Sequence, residues 1–129
     1  MSMPLKGRYA DYVYALLRIT SGLMFSFHGA QKILGVFATQ RPPAGSQLWV
    51  GGLIELAGGL AIAAGFRTRL AAFICSGMMA VAYTQFHWKL RLGTNLLPGV
   101  NQGELALLYA LVFLYVAARG GVAWCVDKR

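Results

Sequence analysis

"LWVGGLIELAGGLAIAAGF", residues 48–66, is the stretch on which the fold turns. A helix of that length, rising 1.5 Å per residue, covers close to the roughly 30 Å of hydrocarbon in a bilayer. Its one charge is Glu55. On a helical wheel Gly51, Gly52, Gly58 and Gly59 flank that carboxylate, and Ile62 is the bulky residue further along the same line. Small residues let a neighbouring backbone come close, so Glu55 is expected to point into a bundle and away from lipid.

Three more apolar stretches resemble it in length, 11–34, 70–90 and 103–119. Between the four lie "ATQRPPAGSQ", "RTR" and "RLGTNLLPGVNQ", which are polar or break helices. Hydrophobic residues make up 57% of the 129 and charged residues only 12%, where a soluble domain carries about 25% charged. Mean hydropathy is +0.56. A spanning barrel would need many alternating segments, which this chain does not have. The expected fold is therefore an all-α membrane protein: one domain over residues 1–129, four transmembrane helices in a bundle. The first stretch is long, contains Arg18 and has no small-residue cleavage site, so it reads as a retained span and not a secretory signal.

The formal charge of +8 would suggest nucleic acid for a soluble protein, but the basic residues are scattered over loops and ends, with no basic helix. Nucleic acid is not an expected partner. Charge speaks instead to topology. With both termini inside, Lys6, Arg8, Arg67, Arg69, Arg119, Lys128 and Arg129 are cytoplasmic, and Lys32, Arg41, Lys89 and Arg91 face outward. The positive-inside rule thus favours N-in/C-in in the plasma (inner) membrane, multi-pass. The two cysteines, Cys75 and Cys125, form no CxxC, haem-attachment or zinc pattern. The glycines of "GGLIELAGG" follow no strand and make no nucleotide loop.

Within the first span "GLMFSFHGAQKILG", residues 22–35, breaks an apolar run with His28, Gln31 and Lys32. Asp11, Tyr14, Arg18, Ser21, His28 and Lys32 share about a third of that helix's circumference. The third span places Ser76, Ala80, Tyr83, Thr84 and His87 on one side, and the fourth begins with Glu104 above Leu108, Leu111 and Tyr115. Counting rise per residue puts His28 and His87 each roughly 25 Å from the inner end, Glu55 about 10 Å below the outer surface and Glu104 near that surface. His28, Lys32, Glu55, His87 and Glu104 therefore share a level, with Lys32 or His28 as the expected partner of Glu55. Arg18 stands apart, near the inner end. A charge within the bilayer costs about 2.5–3.5 kcal/mol on insertion scales, so these groups pair, face a cavity or act on a ligand.

Each has a plainer reading beside the functional one. Lys32 can snorkel to headgroups. His87, beside Trp88 and Lys89, can anchor at the interface. Arg18 can brace against Asp11 or inner phosphates. Glu104 can be a helix N-terminal acid favoured by the dipole. Glu55 fits a structural role least well. Short echoes, "SGLM" against "SGMM" and "ELA" at 55–57 against 104–106, would suit two related hairpins.

The combination of "LLRITSGLMFSFHGAQKILG", "GGLIELAGGLAIAAGFRTRLAA", His87, "GELALLYALVFL" and "RGGVAWCVD" resembles the DoxX family of small membrane proteins over nearly the whole chain. The resemblance rests most on Arg18, His28, Gly29, Lys32, Glu55, Gly59, Arg69 and Glu104. It implies four transmembrane helices. Some relatives are subunits of quinone-linked oxidoreductases, including terminal quinol oxidase and thiosulfate:quinone oxidoreductase, and others are linked to oxidative-stress or thiol-handling complexes. Cys125 stands where members often have serine.

The leading expectation is a quinone-reactive subunit with a non-covalently bound quinone. His28 and His87 would donate to the carbonyls, Glu55 and Glu104 would relay protons, and Lys32, Arg18, Phe25, Phe27, Tyr83 and Trp88 would complete the ligand site. Electrons would come from a soluble or membrane redox partner. A proton or small-molecule transporter, a metal or haem site and a non-catalytic anchor stay open as alternatives, although no ExxH pairing of di-iron bundles is present. Four short spans with glycine-rich faces also point to a homo-oligomer.

Overall fold

The computed structural model describes residues 7–128. Lys6 and Arg129, two of the cations behind the expected orientation, lie outside the described residues. Helix α1 runs over Arg8–Leu34, α2 over Gln47–Ala64, α3 over Thr68–Ala82, a short α4 over Pro98–Asn101 and α5 over Glu104–Arg119. No strand occurs among the described residues. The apolar stretches marked out in the sequence hold the four long helices, with ends shifted by a few residues.

Local chemistry sets those ends. Gly35 and Gly65 terminate α1 and α2 at left-handed φ of 71° and 72°, which glycine adopts without steric cost. The Ser46 hydroxyl accepts from the Trp49 N–H and caps the start of α2. Helix α3 differs from expectation. Instead of one α-helix to residue 90, it changes at Tyr83–Trp88 to a π-helical turn, then stops at Lys89 and Leu90, both at positive φ. A π-turn is wound wider than an α-turn, so side chains beyond Ala82 do not follow the wheel of the residues before them.

The long helices alternate in direction. The closest pairs are α1 with α2 and α3 with α5. Four glycines make the first pair possible. A Cβ on Gly29 would lie 2.3 Å from the Leu56 backbone nitrogen, and one on Gly22 would lie 2.7 Å from the Gly59 carbonyl oxygen. From the other side, a Cβ on Gly52 would meet Lys32 Cβ at 2.8 Å and one on Gly59 would meet the Gly22 carbonyl oxygen at 2.6 Å. Helices α1 and α5 are bridged by rings instead: Phe25 packs on Tyr109 and Phe113 at centroid distances of 5.1 and 4.9 Å. In lipid, burial of such side chains releases no water, so close packing and internal hydrogen bonds hold the helices together. The echo between "SGLM" and "SGMM" does not extend to packing, because Gly77 meets nothing within 4 Å where Gly22 touches α2.

The segment after α5 ties one end of the bundle together. Arg18 is fully buried and donates to four carbonyls, those of Ile62 and Ala63 at the end of α2 and of Ala123 and Trp124 in the tail, at 2.6–2.9 Å. The Tyr14 hydroxyl donates to the Gly120 carbonyl at 2.6 Å. Asp127 accepts from the Arg67 and Thr68 backbone N–H groups and the Thr68 hydroxyl at 2.6–2.8 Å, which caps α3. The Thr68 hydrogen bonds, aided by that of the Arg67 N–H and the charge of Arg18, hold its carboxyl below the ordinary carboxylate range.

Among the described residues, two stretches, Gln47–Ala64 and Thr68–Trp88, are long and apolar enough to cross a membrane, with only 22% and 17% of an 18-residue apolar window in each buried inside the protein. Helix α5 has 16 residues, and α1 carries Arg8, Asp11, Arg18 and Lys32.

Candidate functional site

The site lies at the end of the bundle opposite the tail, and the glycine contacts of α1 and α2 create it. Gly29 and Gly52 bring the two backbones together just where Lys32 leaves α1 and Glu55 leaves α2. Lys32 Nζ sits 2.5 Å from Glu55 Oε1. Glu55 is 5% exposed, whereas the Lys32 side chain is about a third exposed, so the ammonium rather than the carboxylate reaches the surroundings. The second carboxylate oxygen, Oε2, is buried with no hydrogen-bond partner among the described residues. So is the Tyr109 hydroxyl. Each such orphan costs about 1–3 kcal/mol, more for a charged group, and Arg18 Nε at the tail end is a third.

Both residues line a cavity of about 240 Å³ with Phe25, His28, Lys32, Met79, His87, Gln102, Leu105 and Ala106. The His28 ring stands edge-on to Tyr109, with centroids 6.4 Å apart. A second cavity of about 310 Å³ lies between α2 and α3, lined by Gln47, Leu48, Gly51, Met78, Val81, Ala82 and Phe86. Lys32, Glu55, Met79 and His87 belong to both, so the ion pair stands between them. A third hollow of about 180 Å³ separates α1 from α5 where the aromatic rings hold them apart. Leu17, Thr20, Ser21, Met24, Leu108 and Val112 line it, and it shares Leu105 and Tyr109 with the polar cavity.

Of the residues singled out in the sequence, the structure brings Phe25, His28, Lys32, Glu55 and His87 to this cavity. It does not bring the others. Arg18 is spent on carbonyls at the tail end, ten residues and therefore roughly 15 Å along α1 from His28. Glu104 is exposed, because Leu108, Leu111 and Tyr115 form the outward face of α5, while Ala106, Tyr109, Ala110, Phe113 and Val116 face inward. The π-turn sends Tyr83 to Asn101, whose amide donates to its hydroxyl at 3.1 Å, and sends Trp88 to the Arg91 carbonyl at 2.9 Å. Phe27 is exposed and leans on Phe37.

Sequence reasoning missed Tyr109, Met79 and Gln102. A signal for Tyr109 was present: Ala106, Tyr109, Ala110 and Phe113 follow helical spacing and alternate small and aromatic residues, unlike the leucines on the other side. Among the described residues, no three His, Cys, Asp or Glu side chains gather closely enough to hold a metal ion.

Helices with apolar outer faces around a partly buried ion pair and a small cavity define an all-helical membrane protein. The chain belongs to the DoxX family, whose model matches residues 13–88. It is also similar to a Haemophilus influenzae protein whose own description is "uncharacterized", at 39% identity over 126 residues, covering 95% of this chain and 93% of the relative. No solved structure matches the chain significantly.

Proposed function

We propose that the chain crosses the plasma membrane four times, N-in/C-in, and binds a quinone in the cavity between Glu55 and Tyr109 as the membrane subunit of a quinone-linked oxidoreductase. The four-span reading is supported by outward apolar side chains on every long helix, among them Leu23, Leu60, Phe73, Ile74, Leu111 and Leu114. The charges of α1 do not oppose it. Both terminal nitrogens of the Arg18 guanidinium donate to carbonyls, with Nε alone left unpaired among the described residues, Lys32 pairs with Glu55, and Asp11 lies 3.6 Å from Arg119. Intramembrane charges are tolerated when paired in this way.

The observation that carries the ligand reading is the pair of orphaned polar atoms, Glu55 Oε2 and the Tyr109 hydroxyl, at one small cavity. A quinol hydroxyl can donate to that carboxylate oxygen, and a quinone carbonyl can accept from the phenol. The volume, somewhat below the usual roughly 300–1,000 Å³ of ligand sites, suits a single ring. The apolar hollow between α1 and α5 then offers an isoprenoid tail a route from the ring to lipid. Reduction of a quinone consumes two electrons and two protons. His28, His87 and Glu55 line the cavity as proton carriers, and a separate redox protein, soluble or membrane-bound, supplies the electrons. This chain alone is not a complete oxidoreductase.

A second reading, transport of a proton or small molecule, draws on the second cavity across the ion pair. It requires flux in liposomes without a redox donor. Self-association is part of the proposal as well, with Gly77 open on the outer face of α3 as a place for close helix approach.

The test is a quinone titration of the protein in nanodiscs, read by quenching of its tryptophans, in wild type and Glu55→Gln. Saturable quenching that weakens about tenfold or more in the variant is expected, as for a lost hydrogen bond to a charged group. Linear quenching alone, or equal affinity in both proteins, overturns the reading.

A further inference from the structure

A further cavity, of about 740 Å³, is separate from the one just described. It lies at the tail end, between the start of α3, the end of α5 and the segment after it. Among the described residues, four cations line it, Arg67, Arg69, Arg119 and Lys128, against one carboxylate, Asp127. That carboxylate is already used. Its oxygens take the Arg67 and Thr68 N–H groups and the Thr68 hydroxyl, so it offers the surrounding cations little.

The four cations are not equivalent. Arg69 is fixed by donating to the carbonyls of Ala117, Ala118 and Arg119 at the end of α5. Arg119 lies over the Tyr14 ring at 5.1 Å and reaches Asp11 only at 3.6 Å. The side chains of Arg67 and Lys128 make no hydrogen bond or ion pair among the described residues. The result is a concave surface with several positive groups, two of them unengaged and one rigid, and, among the described residues that line it, no second acid.

We infer that this cavity is an anion site for a phosphate group, separate from the ligand cavity at the other end and independent of what that cavity holds. Tetrahedral phosphate presents several acceptor oxygens at once, which suits guanidinium forks and an ammonium arriving from different sides. A carboxylate offers two oxygens in one plane and would leave part of the ring of cations unmatched. Two sources supply the same chemistry, the headgroup of an anionic phospholipid and dissolved phosphate. The open side of the cavity and its place at the end of the apolar helices admit both.

The experiment uses the full chain in nanodiscs of phosphatidylcholine alone, and its readout is the thermal midpoint. In one arm inorganic phosphate is added against chloride at matched ionic strength. In the other, a fraction of the lipid is replaced by phosphatidylglycerol. A saturable rise with inorganic phosphate identifies a soluble anion site. A rise with phosphatidylglycerol and none with phosphate identifies a headgroup site. In either case the double variant Arg67→Asn, Lys128→Gln must lose the response, with affinity falling about tenfold for each cation removed. Asparagine is chosen because residue 67 sits at φ 45°, a region asparagine tolerates. Because both side chains are exposed and neither makes a hydrogen bond or ion pair among the described residues, the variant's own midpoint in phosphatidylcholine should stay close to wild type. No response beyond the chloride control in either arm, or a double variant that responds as wild type does, overturns the proposal.

Discussion

Adding one methyl group at Gly29 should separate α1 from α2 and take the ion pair with it. The new Cβ would lie 2.3 Å from the Leu56 nitrogen, 2.6 Å from the Gly52 carbonyl oxygen and 2.7 Å from the Leu56 Cα. All three are backbone atoms, so no rotamer change relieves the clash. To reach ordinary contact, which begins near 3.4 Å, the facing helix must retreat by about 1 Å. Overpacking of this kind costs typically 1–3 kcal/mol, and alanine's better helix propensity returns roughly 1 kcal/mol at most. Gly77→Ala is the matched control, since its Cβ meets nothing within 4 Å and it should gain that same propensity. The two variants should therefore differ by about 1–3 kcal/mol, with Gly29→Ala the less stable. The assay is equilibrium unfolding in mixed micelles followed by tryptophan fluorescence, together with quinone titration, because Lys32 sits one turn from Gly29 and pairs with Glu55 at 2.5 Å. Equal stability of Gly29→Ala and Gly77→Ala would refute the claim that backbone contact between α1 and α2 builds the site.

Arg18→Ala leaves four carbonyls without their donor and should cost about 3–5 kcal/mol, on the scale of breaking a buried charged network; limited proteolysis should then cut the tail before the helices. Asp127 has a depressed carboxyl pKa, so its contribution is fully present above the unfolded value near 3.8 and disappears as pH falls through the lower folded value. Fluorescence of Trp124, in a Trp49→Phe, Trp88→Phe background, should accordingly stay constant down to about pH 4 and change below it, whereas Asp127→Asn should show the released signal at every pH. Phe25→Ala removes the ring between Tyr109 and Phe113 and should cost about 3–5 kcal/mol, measured in the same unfolding assay. Tyr109→Phe removes one orphaned hydroxyl and should leave stability unchanged or raised while weakening quinone binding; unaltered binding would remove the phenol from the ligand site.

The helical architecture and the core of the site were legible because charge is rare in these helices. A glutamate among glycines and a lysine near the end of an antiparallel neighbour can be matched by counting rise alone, and the structure pairs Lys32 with Glu55. The rotation of α5 was not legible in the same way. In lipid the apolar face looks outward, so leucines do not mark the interior, and the face under Glu104 proved to be the exposed one. Tyr83 and Trp88 were displaced by a change of helix type at residue 83, for which the local sequence carries no obvious mark. The depth of Arg18 could be counted. Its partners could not, since two of the four carbonyls belong to a tail more than a hundred residues away.

That tail makes the two ends of the protein mechanically unlike. At one end Tyr14, Arg18, Thr68 and Asp127 knot α1, α2, α3 and the residues after α5 into a single joint. At the other, separate links join the elements two at a time: Lys32 with Glu55, Asn101 with Tyr83, and the exposed pair Gln47 with Gln85. A fault in that joint therefore loosens four segments together, whereas a fault beside Glu55 frees only the two helices whose link is lost.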